Sequence, residues 1–172
     1  QRSLVGSEMC IRDRWRLSSA TVEDAESDFT ALPDYERLIS TLEGTIELSH
    51  NDGEKLTLNP YEVHRFDGGD DTHSWGCCRD FNLMLRKGKC EGKMRGETLA
   101  AGESKTVHGS EGMMLIYCGA GEVNVIVGEE SIALKADEAV RLDGFAGEVK
   151  LCSKSGAKPV SYTHLRAHET TL

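Results

Sequence analysis

Apolar and polar residues alternate along most of this chain with a period of two, as expected of strands that bury one face. Thr45–Leu48 and Lys55–Leu58 alternate in this way on either side of Asn51-Asp52-Gly53, which predicts a hairpin. Phe81–Leu85, Met113–Tyr117, Glu122–Val127, Ser131–Leu134, Ala139–Leu142 and Glu148–Cys152 follow at short spacing, bounded by glycine or acidic turn residues. Tyr35–Leu42 alone has room for more than a turn of helix, and its Leu38, Ile39 and Leu42 equally suit a strand leading to Gly44. Many short strands without alternating helices predict an all-β sandwich or barrel rather than a parallel α/β sheet.

The strand pattern occurs twice. Gly44, Ile46 and Leu48 line up with Gly121, Val123 and Val125, and Leu58, Glu62, Phe66, Asp67 and Gly68 with Leu134, Glu138, Leu142, Asp143 and Gly144. The offset changes by one residue inside the hairpin, where a change of length costs little. The expected architecture is a double cupin: two antiparallel jelly-roll barrels in tandem, over 15–90 and 91–158.

The ends read differently. Residues 4–13 (LVGSEMCIRD) and 160–169 (VSYTHLRAHE) can be encoded by complementary strands of one DNA string. Two termini of a protein have no physical reason to be related in this way, and the string resembles a transposase sequencing adapter translated in frame. Residues 1–13 and 160–172 are therefore expected to be non-native and to carry no fold. With the native start replaced, the first barrel is expected to lack its N-terminal strand.

Composition narrows the function. The 172 residues carry 20 basic against 29 acidic side chains, a formal charge of −9, which argues against a phosphate-backbone partner. No apolar run approaches a membrane span. Eighteen glycines against three prolines fit turn-rich β structure. Outside the ends, Cys77 and Cys78 are adjacent, and Cys90, Cys118 and Cys152 sit in or beside apolar runs. That is no disulfide framework, and it suggests small hydrophobes in a reducing, cytoplasmic setting.

Three blocks resemble the HutD/Ves family. The first, WRLSSATVEDAESDFTALPDYERLISTLEG at 15–44, carries Trp15, Arg16, Ser18, Ala20, Val22, Phe29, Leu32, Pro33, Arg37, Leu42 and Gly44 where the family shows its W-R-x-S-x-A-x-V, F-S-x-F-P, arginine and L-x-G features. The second is FDGGDDT at 66–72, and the third, RDFNLMLRKG at 79–88, is the most specific. Glu26-Ser27 stands where the family often has Asp-Gly, and Asp34 where it often has glycine. The resemblance implies an RmlC-like double cupin with a small-molecule-binding or regulatory role. HutD-type members are associated with histidine utilisation and Ves-type members with stress responses.

The residues themselves say less about chemistry. Catalytic cupins usually hold a metal through an H-x-H pair, a glutamate and a further histidine. Outside the ends the histidines are His50, His64, His73 and His108, no two of them two apart. His50, His73 and His108 read as solvated, and His64 as a strand residue, more readily structural than cavity-facing. No metal or other cofactor is expected. The acidic stretches Glu23–Asp28 and Asp67–Asp71 lack calcium-loop spacing and read as solvated loops. Cys77 or Cys78 as a nucleophile beside His73 lacks an orienting third group. Alternation places Asp80 and Asn82 on one face of their strand, opposite to Phe81 and Leu83. With Arg37 and Arg16 they form a candidate ligand site for a small polar or carboxylate-bearing metabolite. The competing reading makes Arg37 and Asp80 a buried ion pair.

The expected function is a non-enzymatic metabolite-binding or regulatory protein, with no nucleic-acid or membrane partner and with homodimerisation open. The alternative is a cupin-type isomerase or lyase whose catalytic residues lie on the missing N-terminal strand.

Overall fold

The computed structural model describes residues 2–3, 9–11 and 14–166, with side chains for 14–163. Every regular element among them is a strand: β1 (Arg2–Ser3), β2 (Met9–Ile11), β3 (Trp15–Val22), β4 (Glu26–Asp28), β5 (Tyr35–Glu43), β6 (Ile46–His50), β7 (Leu56–Leu58), β8 (His64–Asp67), β9 (Thr72–Trp75), β10 (Cys78–Arg86), β11 (Cys90–Gly96), β12 (Ser104–Val127), β13 (Glu130–Lys135), β14 (Glu138–Cys152) and β15 (Ala157–Arg166). No helix among the described residues is long and apolar enough to cross a membrane. The chain divides into two compact units, Gly6–Cys90 and Gln1–Val5 with Glu91–Leu172.

The first unit has a five-stranded sheet in the order β2-β3-β10-β5-β8 and a four-stranded sheet in the order β4-β9-β6-β7. Ile39, Phe66 and Cys78 of one sheet share a core with Ile46, Leu48 and Leu58 of the other. Tyr35–Glu43 is a strand, and the reason it resembled a helix is plain: Arg37 to Leu42 are all buried, so no apolar–polar alternation shows. The hairpin turn forms at Asn51 and Asp52, both at positive φ (52° and 56°), closed by the Gly53 N–H donating to His50 O at 2.9 Å.

In the second unit the strands predicted separately at 113–117 and 122–127 are parts of β12, and those at 139–142 and 148–152 are parts of β14. Register shifts, not turns, separate the parts. Ser104–Thr106 and Asn124–Ile126 both pair with Lys150–Cys152, so the six-stranded sheet doubles back on itself. Its core gathers Met114, Ile116, Cys118, Val123, Val125, Leu134, Val149 and Leu151.

The two units repeat each other in register. Arg37 opposes Phe66 as Met114 opposes Leu142. Leu48 opposes Ser74 as Val125 opposes Leu151. Leu38 opposes Leu83 as Leu115 opposes Tyr162. Ile46, Leu48, Phe66, Val123 and Val125 are buried as the alignment of the two copies requires, with Leu142 partly buried. Each unit is thus a jelly roll of the cupin kind, although its sheets do not close into a continuous barrel.

The expectation that 1–13 and 160–172 carry no fold needs correction wherever those segments are described. Arg2–Ser3 pairs with Ala139–Glu138, Met9–Ile11 pairs with Leu17–Trp15, and Val160–His164 pairs with Tyr117–Met113. Val160, Ser161 and Tyr162 are buried. The cause is pattern: VSYTHL alternates and is rich in β-branched and aromatic residues, so it takes the place that Phe81–Leu85 takes in the first unit. Leu165 and Arg166 complete β15, and the other residues of both segments lie outside the described ones.

Candidate functional site

Across β3, β10, β5 and β8 the registers place Arg16, Met84, Arg37 and Phe66 in one row. Ser18, Asn82, Ile39 and His64 form the next row, and Ala20, Asp80 and Thr41 a third. Side chains two apart on a strand share a face. Ile39 and Phe66 identify this face as the interior one, since they pack with Ile46, Leu48 and Leu58. All four predicted site residues therefore share the interior face of the first jelly roll.

Arg37 is 6% exposed. Its guanidinium lies 4.9 Å from the Phe29 ring centroid and 5.4 Å from that of Phe66, between two cation–π partners. Nη1 donates to Thr30 O at 3.3 Å, while Nε is buried without a partner. Burial pulls its pKa below the usual arginine value, Asp80 partly opposes this, and Arg16 adds to it. Arg16 itself is exposed.

Asp80 does not pair with Arg37. The register sets it opposite Thr41, four residues along β5, and its Oδ1 accepts the Ala20 N–H at 2.9 Å. Ser19 Oγ donates to Asp80 O at 2.7 Å, so this residue clips β3 to β10. Burial raises the Asp80 pKa, against the Ala20 hydrogen bond and Arg37. Asn82, opposite Ile39, is 5% exposed, and its Oδ1 is buried without a partner. Thr41 Oγ1 on the same face is also unpartnered.

The sequence reading missed His50. Instead of lying in solvent, it is half-buried, with its Nε2 2.8 Å from His64 Nε2 and its Nδ1 2.8 Å from Thr72 Oγ1. Both rings stack near Phe66, at 4.7 and 5.7 Å between centroids, so the pair adjoins Arg37 through that ring. Burial lowers both histidine pKa values, and His50 lowers that of His64 further. As a metal centre the pair fits poorly. Imidazoles this close share a proton, and among the described residues no three His, Cys, Asp or Glu side chains gather at ligand spacing.

The remaining candidates separate from this face. His73 Nδ1 meets Asp28 Oδ1 at 2.5 Å and its Nε2 meets Glu26 Oε2 at 3.4 Å, so part of the acidic stretch read as a loop is strand β4, clasped to β9. The Asp28 hydrogen bond is the main cause that raises the His73 pKa. A raised folded-state value stabilises below the unfolded pKa of ~6.5 and loses that contribution as pH rises through the folded value. The melting-temperature difference between the parent and His73→Gln is therefore expected to shrink across that window. A difference independent of pH would refute the clasp. Cys77 is exposed, with Sγ donating to Glu23 O at 3.2 Å, whereas burial pushes the Cys78 thiol up to about 11. They border an open groove of about 410 Å³ with Thr21, Glu43 and Arg79, and His73 is engaged elsewhere.

The second unit shows what the fold alone requires. By register it has Met114 for Arg37, Leu142 for Phe66, Val140 for His64, Cys118 for Thr41 and Leu151 for Ser74. Its interior is apolar and well buried. The polar interior of the first unit is therefore not a requirement of the jelly roll.

Fold and site together define a double cupin with one apolar interior and one polar, arginine-centred interior. The HutD family profile matches residues 10–158, and the chain belongs to the HutD family. It is similar to the conserved protein of unknown function PA5104 from Pseudomonas aeruginosa PAO1, at 23% identity over 92% of this chain and 87% of that one, with a TM-score of 0.81. It is also similar to HutD from Pseudomonas fluorescens SBW25 in a formate condition, at 23% identity over 88% and 79% of the chains, with a TM-score of 0.67. A cupin 2 conserved barrel domain protein from Leptotrichia buccalis shares 14% identity over 92% and 87%, at a TM-score of 0.59. None of the curated protein sequences matches.

Proposed function

We propose that this protein binds a small carboxylate-bearing metabolite inside its first jelly roll and acts through that binding as a non-enzymatic regulator. The observation that carries this reading is Arg37, a cation 6% exposed whose Nε lacks a partner where the other unit has Met114. A buried polar atom left unpaired costs about 1–3 kcal/mol, so a ligand that satisfies it recovers that energy as affinity. Arg37 offers two parallel N–H donors to a carboxylate. Asn82 Oδ1, one row along, accepts an N–H or O–H, which favours hydroxy or amino acids over plain ones. Arg16 on the outer end of the row adds positive charge. Asp80 acts by positioning β3, not by touching the ligand.

Family membership supports a link to histidine utilisation. Cys77, Cys78, Cys90, Cys118 and Cys152 are free, which supports a reducing, cytoplasmic setting.

Calorimetry with formate and lactate tests the reading. Both are expected to bind, and Arg37→Ala should weaken both by at least about tenfold, ~1.4 kcal/mol. Asn82→Ala should cost lactate more than formate. Affinities untouched by both substitutions would sink the proposal.

A further inference from the structure

The hydrogen bonds around His50 fix the direction of a proton relay. Thr72 Oγ1 lies 3.3 Å from Asp70 O, and a carbonyl can only accept, so the threonine hydroxyl proton is used there. His50 Nδ1, 2.8 Å from the same oxygen, must then be the donor. In neutral His50 the other nitrogen, Nε2, carries the lone pair, so across 2.8 Å His64 Nε2–H must donate to it. Neutral His64 is left with a lone pair on Nδ1. The pair can therefore take up one proton, at His64 Nδ1, without breaking any of these hydrogen bonds. A second proton, at His50 Nε2, would break the contact between the rings.

This acceptor belongs to the Arg37 face. His64 and Phe66 are two residues apart on β8, about 7 Å along the strand, and Phe66 lies opposite Arg37. The second unit has Val127 and Val140 where the first has His50 and His64, so the relay serves no need of the fold. The charged groups facing the pair come from several elements. Asp70, ahead of β9, favours the protonated form of His50. Arg37 on β5 and Arg16 on β3 lie in the row on one side of His64, and Asp80 on β10 lies in the row on the other. Thr72 and Asn82 are neutral, and Arg65 is engaged with Glu36 at 2.8 Å. Burial lowers the pKa of both imidazoles and so favours their neutral forms.

We propose that His64, backed by His50, is the second anchor of the ligand site, and that it takes a proton from solvent when a second carboxylate of the ligand docks. The site then selects a small hydroxy-dicarboxylate over the matching monocarboxylate and binds it with uptake of about one proton. The first carboxylate meets Arg37, the hydroxyl donates to Asn82, and the second carboxylate accepts from His64 Nδ1–H. This inference rests on the carboxylate reading of Arg37.

Malate and lactate differ by one carboxylate and make the test. Calorimetry in buffers of different ionisation enthalpy, between about pH 6 and 8, should show malate binding with uptake of about one proton and lactate binding with none. Malate affinity should fall up to about tenfold per pH unit on the alkaline side. In His64→Gln, whose amide N–H still reaches His50 but cannot titrate, the proton uptake should vanish and the preference for malate should fall at least about tenfold. Malate bound without proton uptake, an unchanged preference in His64→Gln, or lactate bound with malate excluded would each overturn the anchor and leave the Arg37 reading intact. If neither acid binds, the carboxylate reading fails, and this inference fails with it. Histidine NMR on the malate complex gives a second check, because the new proton must appear on His64 Nδ1.

Discussion

Replacing Arg37 by methionine is expected to abolish carboxylate binding and to raise the melting temperature. Arg37 is nearly enclosed, makes one long hydrogen bond of 3.3 Å, and leaves Nε unpaired. Exchanging a buried charge for a well-packed apolar side chain commonly stabilises by about 1–4 kcal/mol. Lost cation–π contact with Phe29 and Phe66 offsets ~0.5–2 kcal/mol of that. A net gain of about 1 kcal/mol corresponds to roughly 2–4 °C in a chain of this size. Methionine is the natural choice because Met114 fills the corresponding place in the second unit, 1% exposed beside Leu142. Thermal melts with calorimetry on the same variant decide the matter. A lower melting temperature would make Arg37 a structural residue, and retained carboxylate binding would remove it from the site.

The contrast between the two interiors also bears on what could be read in the sequence. Alternation and the internal repeat are short-range and periodic, so the hairpin, the two jelly rolls and their buried positions were legible. β12 and β14 were not legible as continuous strands, because Gly121 and Gly144 read as turn residues yet sit at positive φ inside them (77° and 67°). β5 lost its alternation because both its faces are buried. In the site, alternation put Asp80 with Asn82 correctly, but it carries no register, and the register is what separates Asp80 from Arg37. The histidine pair was invisible for a deeper reason. His50 and His64 come from different sheets and meet only once both have formed. A signal did exist, however. Where one copy of the repeat has histidine and the other valine, as at His64 and Val140, the fold is satisfied by valine, and the polar residue needs another explanation. Comparing the two copies for polarity, beyond aligning them for similarity, would have drawn attention to Arg37, His50 and His64 together.

The largest losses of stability are expected from Gly44→Ala and Gly121→Ala. Each glycine sits where the chain leaves one pairing partner for another: Glu43 pairs with Arg79 and Ile46 with Leu58, while Gly121 pairs with Ala157 and Glu122 with Lys135. Each has positive φ, 83° and 77°. A Cβ at Gly44 would lie 2.4 Å from Cys77 O, and one at Gly121 would lie 2.2 Å from Gly156 O. Both obstacles are backbone, which cannot rotate aside as a side chain could. Positive φ alone costs a non-glycine residue about 1–3 kcal/mol, and forcing two strands apart adds to this, so a loss of at least ~3 kcal/mol is expected at either position. Gly88→Ala and Gly128→Ala separate the two effects, because they share the positive φ (72° and 60°) but have nothing within 4 Å of the added carbon. They should lose only the backbone contribution. Urea denaturation of the four variants gives the comparison directly. Equal losses at Gly44 and Gly88 would mean that the strand crossing can yield, and the close approach would then be no constraint on either jelly roll. A larger loss at both Gly44 and Gly121 would show that two copies with different interiors, one polar around Arg37 and one filled with methionine and valine, depend on the same glycine at the same corner.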